Sequence, residues 1–118
     1  MVRKEFETYY NLIASDETGK ILNGDSLDEI SEMRNRVAII RARVGQELAL
    51  IENEIDERFH FLIIATTPIS AAKREAEYEV NTGYEVSRRE LKNLVHSMTQ
   101  FLNSCASRLN VLKMEMIT

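Results

Sequence analysis

The sequence predicts an all-α protein, a long antiparallel helical hairpin with a short N-terminal helix, coiled-coil-like packing and self-association. Three observations lead there. Leu91, Val95, Met98, Leu102, Cys105, Leu109, Leu112 and Met116 step alternately by four and three residues, which draws one apolar stripe along a single helix. A comparable stripe precedes it in the chain. Among 118 residues there are only one Pro and four Gly, and Leu, Ile, Met, Ala, Glu and Arg dominate, a balance that favours long helices over sheets with their many turns. With 44% hydrophobic and 29% charged residues, the chain reads as one folded domain over 1–118.

The first element is expected over 2–14, where Val2, Phe6, Tyr9 or Tyr10, and Ile13 recur at helical spacing. It reads as a docking element. The following SDETGKILNGD gathers two glycines with Asp, Ser and Asn, and is expected to be a loop with turns at Gly19 and Gly24. Ser26 followed by Glu29 forms a capping box, so the first long helix is placed at 26–65.

From that cap, Ile30, Met33, Val37, Ile40, Val44, Leu48, Ile51, Ile55, Phe59 and Leu62 form one stripe. Glu47 falls where a strict heptad wants an apolar residue, and the pattern moves to Leu48, an insertion of the stutter type. A helix of that extent is about 60 Å long at roughly 1.5 Å per residue. Its final run, FHFLIIATT, also has the β-branched and aromatic content of a short buried strand, with helix favoured for residues 59–66.

Thr67 and Pro68 read as an N-cap and first helical residue, so the chain is expected to reverse there into a second long helix over 68–116. Ile69, Ala72, Ala76 and Val80 line its apolar side. Asn81, Thr82 and Gly83 interrupt the pattern near 81–84, and Ser87 with Glu90 offers a second capping box, so a kink or a break is expected in that region.

A two-helix hairpin buries only the inner stripe of each helix. Ile39, Leu50 and Phe61, eleven residues apart on the far side of the first helix, and Leu94 and Phe101 beside the second stripe, are the expected oligomer interface. The partner implied is a further copy of the chain.

No constellation for chemistry stands out. His60 and His96 have no second His or Cys at metal-pair spacing, Glu54 and Glu57 form an isolated ExxE pair, and Glu75, Glu77 and Glu79 alternate with no Asp after Asp56. There is no phosphate-binding glycine loop and no nucleophile elbow. Neither an enzyme, a cofactor nor a metal site is expected. Cys105 reads as a small buried hydrophobe on the seam. The start MVRKEFETYY has no apolar stretch behind its cations and the longest apolar run is Phe61 to Ala65, so a cytoplasmic chain without a membrane segment is expected.

Charge is segregated within a net of −4. Residues 1–58 carry eight cations against thirteen acids, and residues 59–118 seven against six. Arg34, Arg36, Arg41 and Arg43 form a purely basic stretch, followed by the acids Glu47, Glu52, Glu54, Asp56 and Glu57. Arg34 with Arg41 and Arg36 with Arg43 make two arginine rows that would repeat around an oligomer as a surface for phosphates, supplemented by Arg88, Arg89 and Lys92. Pairing of these charges with acids of a neighbouring helix is the structural alternative.

The segment VAIIRARV in a long helix, together with a last helix ending LNSCASRLNVLKMEM, resembles the UvsY-type recombination mediators of T-even-like phages. Arg41, Ala42, Arg43 and Val44 match the family's basic, Ala, basic, apolar segment, and Arg108, Leu109, Val111 and Lys113 echo its C-terminal helix. The resemblance implies a ring-like helical homo-oligomer that binds single-stranded DNA and helps load a RecA-type recombinase. It departs where the family places aromatic residues and a glycine turn, since Val44 leads here into QELALIENEID. The competing expectation is a structural or adaptor protein, an assembly component or an inhibitor of a host protein, that docks helix on helix without nucleic acid.

Overall fold

The computed structural model describes residues 1–65, 73, 77 and 86–117, and the side chains of all of these except 58–65. Among them the chain forms α1 (Arg3–Ala14), α2 (Asp16–Asn23), α3 (Leu27–Ala65) and α4 (Arg88–Ile117), with no strand. The reversal at Thr67 and Pro68, the row Ile69, Ala72, Ala76 and Val80, the interruption at 81–84, and the side chains of Phe59, His60, Phe61 and Leu62 lie outside the described residues.

Helix α1 starts within a residue of the expected place, and Phe6, Tyr9 and Ile13 pack against the core while Val2 and Tyr10 stay exposed. The expected loop that follows is instead helix α2. Ser15 caps it, its Oγ accepting from the Thr18 amide at 3.2 Å, and Asp16 and Glu17 occupy the first turn where the helix dipole favours acids. The buried Thr18 hydroxyl donates to the Leu12 carbonyl at 2.6 Å, tying the two short helices at a corner. Gly19 is therefore helical rather than a turn. Gly24 does end the helix, and its amide bonds the Ile21 carbonyl at 3.2 Å. A Cβ there would lie 3.2 Å from the Lys20 carbonyl oxygen, tight enough to favour glycine.

The Ser26 cap holds: its Oγ accepts from the Glu29 amide at 3.3 Å, and α3 then runs for 39 residues. It includes 59–65, so the FHFLIIA run is helix and not strand. Ile30, Val37, Val44 and Ile51, seven residues apart, are all essentially inaccessible, so that row passes straight through the expected stutter. Only the companion row shifts, from Met33 and Ile40 to Leu48 and Ile55. Glu47, left at the skipped position, receives the Met1 backbone nitrogen at 3.2 Å, while the Met1 side chain is buried in the core.

Val86 and Ser87 are not helical, so the second long helix does not run on unbroken to 116 from Pro68. It begins afresh at Arg88. Ser87 Oγ accepts from the Glu90 amide at 3.2 Å, the capping geometry that marks a true N-terminus. Arg88 reaches Glu52, Arg41 reaches Thr99, and Arg108 reaches Gly24 and Asp25. Positions fall along α3 as they rise along α4, a hairpin-like packing.

The buried row of α4 differs from the expected seam. Leu91, Leu94, Met98, Phe101, Cys105, Leu109 and Leu112 are buried, Val95 and Leu102 are half-buried, and Met116 is exposed. Leu94 at 1% and Phe101 at 8% exposure thus belong to the chain's own core, which corrects their assignment to an oligomer interface. The cause is that α4 packs on α1 and α2 as well as on α3, so its apolar face must serve neighbours on two sides. No helix among the described residues is long and apolar enough to cross a membrane.

Candidate functional site

The seven cations singled out in the sequence do not form one surface. Arg41, on the flank of α3 that faces α4, donates through Nε to Thr99 Oγ1 at 2.7 Å and is half-buried. That hydroxyl in turn donates to the Val95 carbonyl, so Arg41 is fixed by a short chain of bonds between the two helices. Arg43 points the other way, toward α1, where Nη2 lies 3.5 Å from Glu5 Oε1. Arg88 Nε and Lys92 Nζ share Glu52 Oε1, at 3.3 and 3.4 Å. Arg41, Arg43, Arg88 and Lys92 thus each reach an acceptor on another helix of the same chain, although Arg43 and Lys92 stay exposed.

Arg34, Arg36 and Arg89 are exposed. Arg36 borders a shallow groove between α2 and α3 whose other walls include Glu17, Glu29 and Glu32, so the local field there is mixed rather than positive. Exposed ion pairs contribute little to stability, about 0 to 1 kcal/mol each, and are screened by salt. Their effect is on the sign of the surface more than on the fold.

Two arginines that the sequence did not single out for this role stabilise the ends of the bundle. Arg3 of α1 makes a bidentate pair with Glu90 in the first turn of α4, with Nη2 to Oε1 at 3.1 Å, and its guanidinium lies 5.6 Å from the Phe6 ring centroid. Arg108 of α4 donates to the Gly24 carbonyl at 3.1 Å and to Asp25 Oδ1 at 3.0 Å. The carbonyl after α2 would otherwise lack an intrahelical partner. Arg108, which the family resemblance placed on the C-terminal motif, here clamps the connection between α2 and α3. No periodicity in the sequence announces such long-range pairs.

The apolar residues assigned to an interface divide. Leu94 and Phe101 are core, the Phe61 side chain lies outside the described residues, and Ile39 and Leu50 are 72% and 66% exposed. From Asn35 to Asn53 the outer face of α3 carries no charged side chain. Ala38, Ile39, Ala42, Gln46, Ala49 and Leu50 occupy it, all exposed and all within an arc of about 120° at roughly 100° per residue.

Cys105 is buried on the inner row, and burial pushes its thiol above the ordinary value of 9.0, with Arg34 acting in the opposite, weaker sense. The fold accommodates the neutral thiol. Its contribution to stability is therefore fully present below about pH 9.0 and is lost as the pH rises through the folded-state value, because the unfolded chain ionises first. Two outcomes are expected: an aromatic disulfide reagent labels Cys105 only on unfolding at neutral pH, and a Cys105→Ala variant loses less stability than the parent between neutral and strongly alkaline pH. Rapid labelling of the native protein would contradict the assignment.

No three His, Cys, Asp or Glu side chains among the described residues come together as a metal-binding group. Comparison with protein-family models, with curated proteins and with solved structures finds no match to this chain.

Proposed function

We propose that the protein is an oligomeric helical docking module, an antiparallel hairpin braced by α1 and α2 that acts as a structural or adaptor component through helix-helix contact. The observation that carries this reading is the uncharged outer face of α3, with Ile39 and Leu50 exposed in the middle of a 39-residue helix. Leaving a Leu or Ile in water forgoes about 1.5 to 3 kcal/mol relative to burial, and a contiguous apolar strip is the usual mark of a contact surface. An assembly component or an inhibitor of a host protein in the host cytoplasm fits these features.

A second reading, the single-stranded DNA-binding mediator implied by the UvsY resemblance, is favoured by the exposure of Arg34 and Arg36 on the two flanks of α3, with Arg89 and the half-exposed Lys92 on the other long helix. In it the copies of the oligomer would line these cations along DNA and help to load a RecA-type recombinase. One preparation tests both. The native mass and the ratio of ultraviolet absorbances of the purified protein report stoichiometry and bound nucleic acid together, and titration with a labelled oligonucleotide at low salt reports affinity. Docking without nucleic acid predicts a multimer with a protein-like absorbance ratio and no oligonucleotide binding. Salt-sensitive binding that Arg34→Ala/Arg36→Ala weakens more than Arg41→Ala/Arg43→Ala would instead establish the mediator.

A further inference from the structure

We infer that the outer face of α3 is a self-docking surface, on which a second copy of the chain lays its own α3 antiparallel, with the two-fold axis close to Gly45. The inference rests on the docking reading above and deepens it by naming the occupant and the register.

Shape comes first. One side of the face is built from Ala38, Ala42 and Ala49, whose short side chains let two helix axes approach toward the near end of the usual packing distance of about 8 to 10 Å. Ile39 and Leu50 stand up along the other side, eleven residues apart. Gly45 adds an independent observation. A Cβ built there meets nothing within 4 Å, so packing within the chain does not require glycine, although glycine in a helix interior costs about 0.5 to 1 kcal/mol relative to alanine. Gly45 adjoins the alanine side of the face, where the lack of a side chain leaves room for a neighbouring helix.

Charge then selects the partner and its direction. Arg34, Arg36, Arg41 and Arg43 precede Gly45, and Glu47, Glu52, Glu54, Asp56 and Glu57 follow it, so the middle of α3, from 34 to 57, passes from a basic stretch to an acidic one. An antiparallel pair with its axis at Gly45 brings Arg36 level with Glu54 of the second copy on one flank, and Arg34 level with its Asp56 on the other. Each arrangement occurs twice by symmetry. A parallel pair would set the basic stretch on the basic stretch and the acidic stretch on the acidic one, where like charges repel. Ile39 and Leu50 lie on the same side of the face, and about this axis Ile39 of each copy falls within a residue of Leu50 of the other, so the exposed apolar side chains cover each other. A partner unrelated to this chain has no reason to share a charge reversal centred on Gly45, whereas the chain is complementary to itself about that point.

Cysteine cross-linking of the full chain tests occupant and register together. In the antiparallel pair, two copies of residue 35 lie about 30 Å apart along the helices at roughly 1.5 Å per residue, whereas residue 35 lies beside residue 53 of the second copy. A short bismaleimide is expected to join Asn35→Cys to Asn53→Cys when the two variants are mixed, to join Gln46→Cys to itself, and to leave Asn35→Cys alone without a cross-link; the buried Cys105 stays as the common background. Ile39→Asp is expected to weaken self-association on the order of a hundredfold or more with unchanged helicity by circular dichroism, because it places two carboxylates in an apolar contact. Efficient self-linking of Asn35→Cys would overturn the antiparallel register. A parent chain that stays monomeric at high micromolar concentration in native mass spectrometry overturns self-docking, and Ile39-dependent binding of a different protein by that monomer would leave the docking reading standing. A multimer indifferent to Ile39→Asp overturns the assigned surface.

Discussion

Replacing Phe101 by Ala should lower the free energy of unfolding by about 3 to 5 kcal/mol, and Leu94→Ala by about 2 to 5 kcal/mol. Each side chain lies almost wholly inside the chain, in a core to which α1 and α2 contribute Phe6, Tyr9, Ile13, Ile21 and Leu22. Truncation forfeits the transfer energy of the removed atoms and leaves a cavity that helices held at several points cannot close. A domain of this size has a total stability of about 5 to 15 kcal/mol, so either change takes a large share of it. Urea unfolding followed by circular dichroism measures the effect as a fall in midpoint at unchanged slope. The sign of the test is sharp. Were these residues contacts between copies, as their position beside the seam suggests in sequence, Ala would shift the monomer's midpoint little and the oligomer's mass a great deal. A midpoint within about 0.5 kcal/mol of the parent would return them to a surface role.

The adjacent pair Leu50 and Ile51 should respond oppositely. Ile51 is 2% exposed and belongs to the row with Ile30, Val37 and Val44, whereas Leu50 is 66% exposed one residue away, about 100° around the helix. Ile51→Ala is expected to cost about 2 to 5 kcal/mol of unfolding free energy. Leu50→Ala, measured at a concentration where the chain is monomeric, should stay within about 0.5 kcal/mol of the parent and gain slightly from the helix propensity of Ala. At high concentration the ranking changes, because Leu50→Ala then removes a buried contact between copies and the apparent stability acquires a concentration dependence. Equal, large losses for both variants in the monomer would mean that α3 is enclosed on both faces by its own chain.

Much of the bundle is legible in the sequence because helices announce themselves locally. The recurrence of Ile30, Val37, Val44 and Ile51, and the Ser26 and Ser87 caps, involve residues at most seven positions apart, and each is realised in α3 or α4. The stretch from Asp16 to Asn23 was obscured by its polar composition. Gly19 and the following Gly24 suggest turns, yet a Ser15 cap, two acids in the first turn and the buried Thr18 bond to Leu12 suffice to make it helical once it lies against α3 and α4. Propensity yields there to packing.

The candidate surface was harder to read, because the fate of a charge depends on what faces it across the fold. Arg41 and Arg43 look alike in RARV, but one meets Thr99, 58 residues away, and the other Glu5, 38 residues away. By itself the sequence determined the helical class, two of the helix starts and the inner row of α3, all consequences of short-range periodicity and backbone capping. Only the tertiary structure decided that Leu94 and Phe101 are core, that Arg41, Arg43, Arg88 and Lys92 meet acceptors on other helices of the chain, and that Ile39 and Leu50 remain on an uncharged outer face. The physical reason is that periodicity specifies which side of a helix is apolar, whereas burial and neutralisation depend on neighbours brought together from distant parts of the chain.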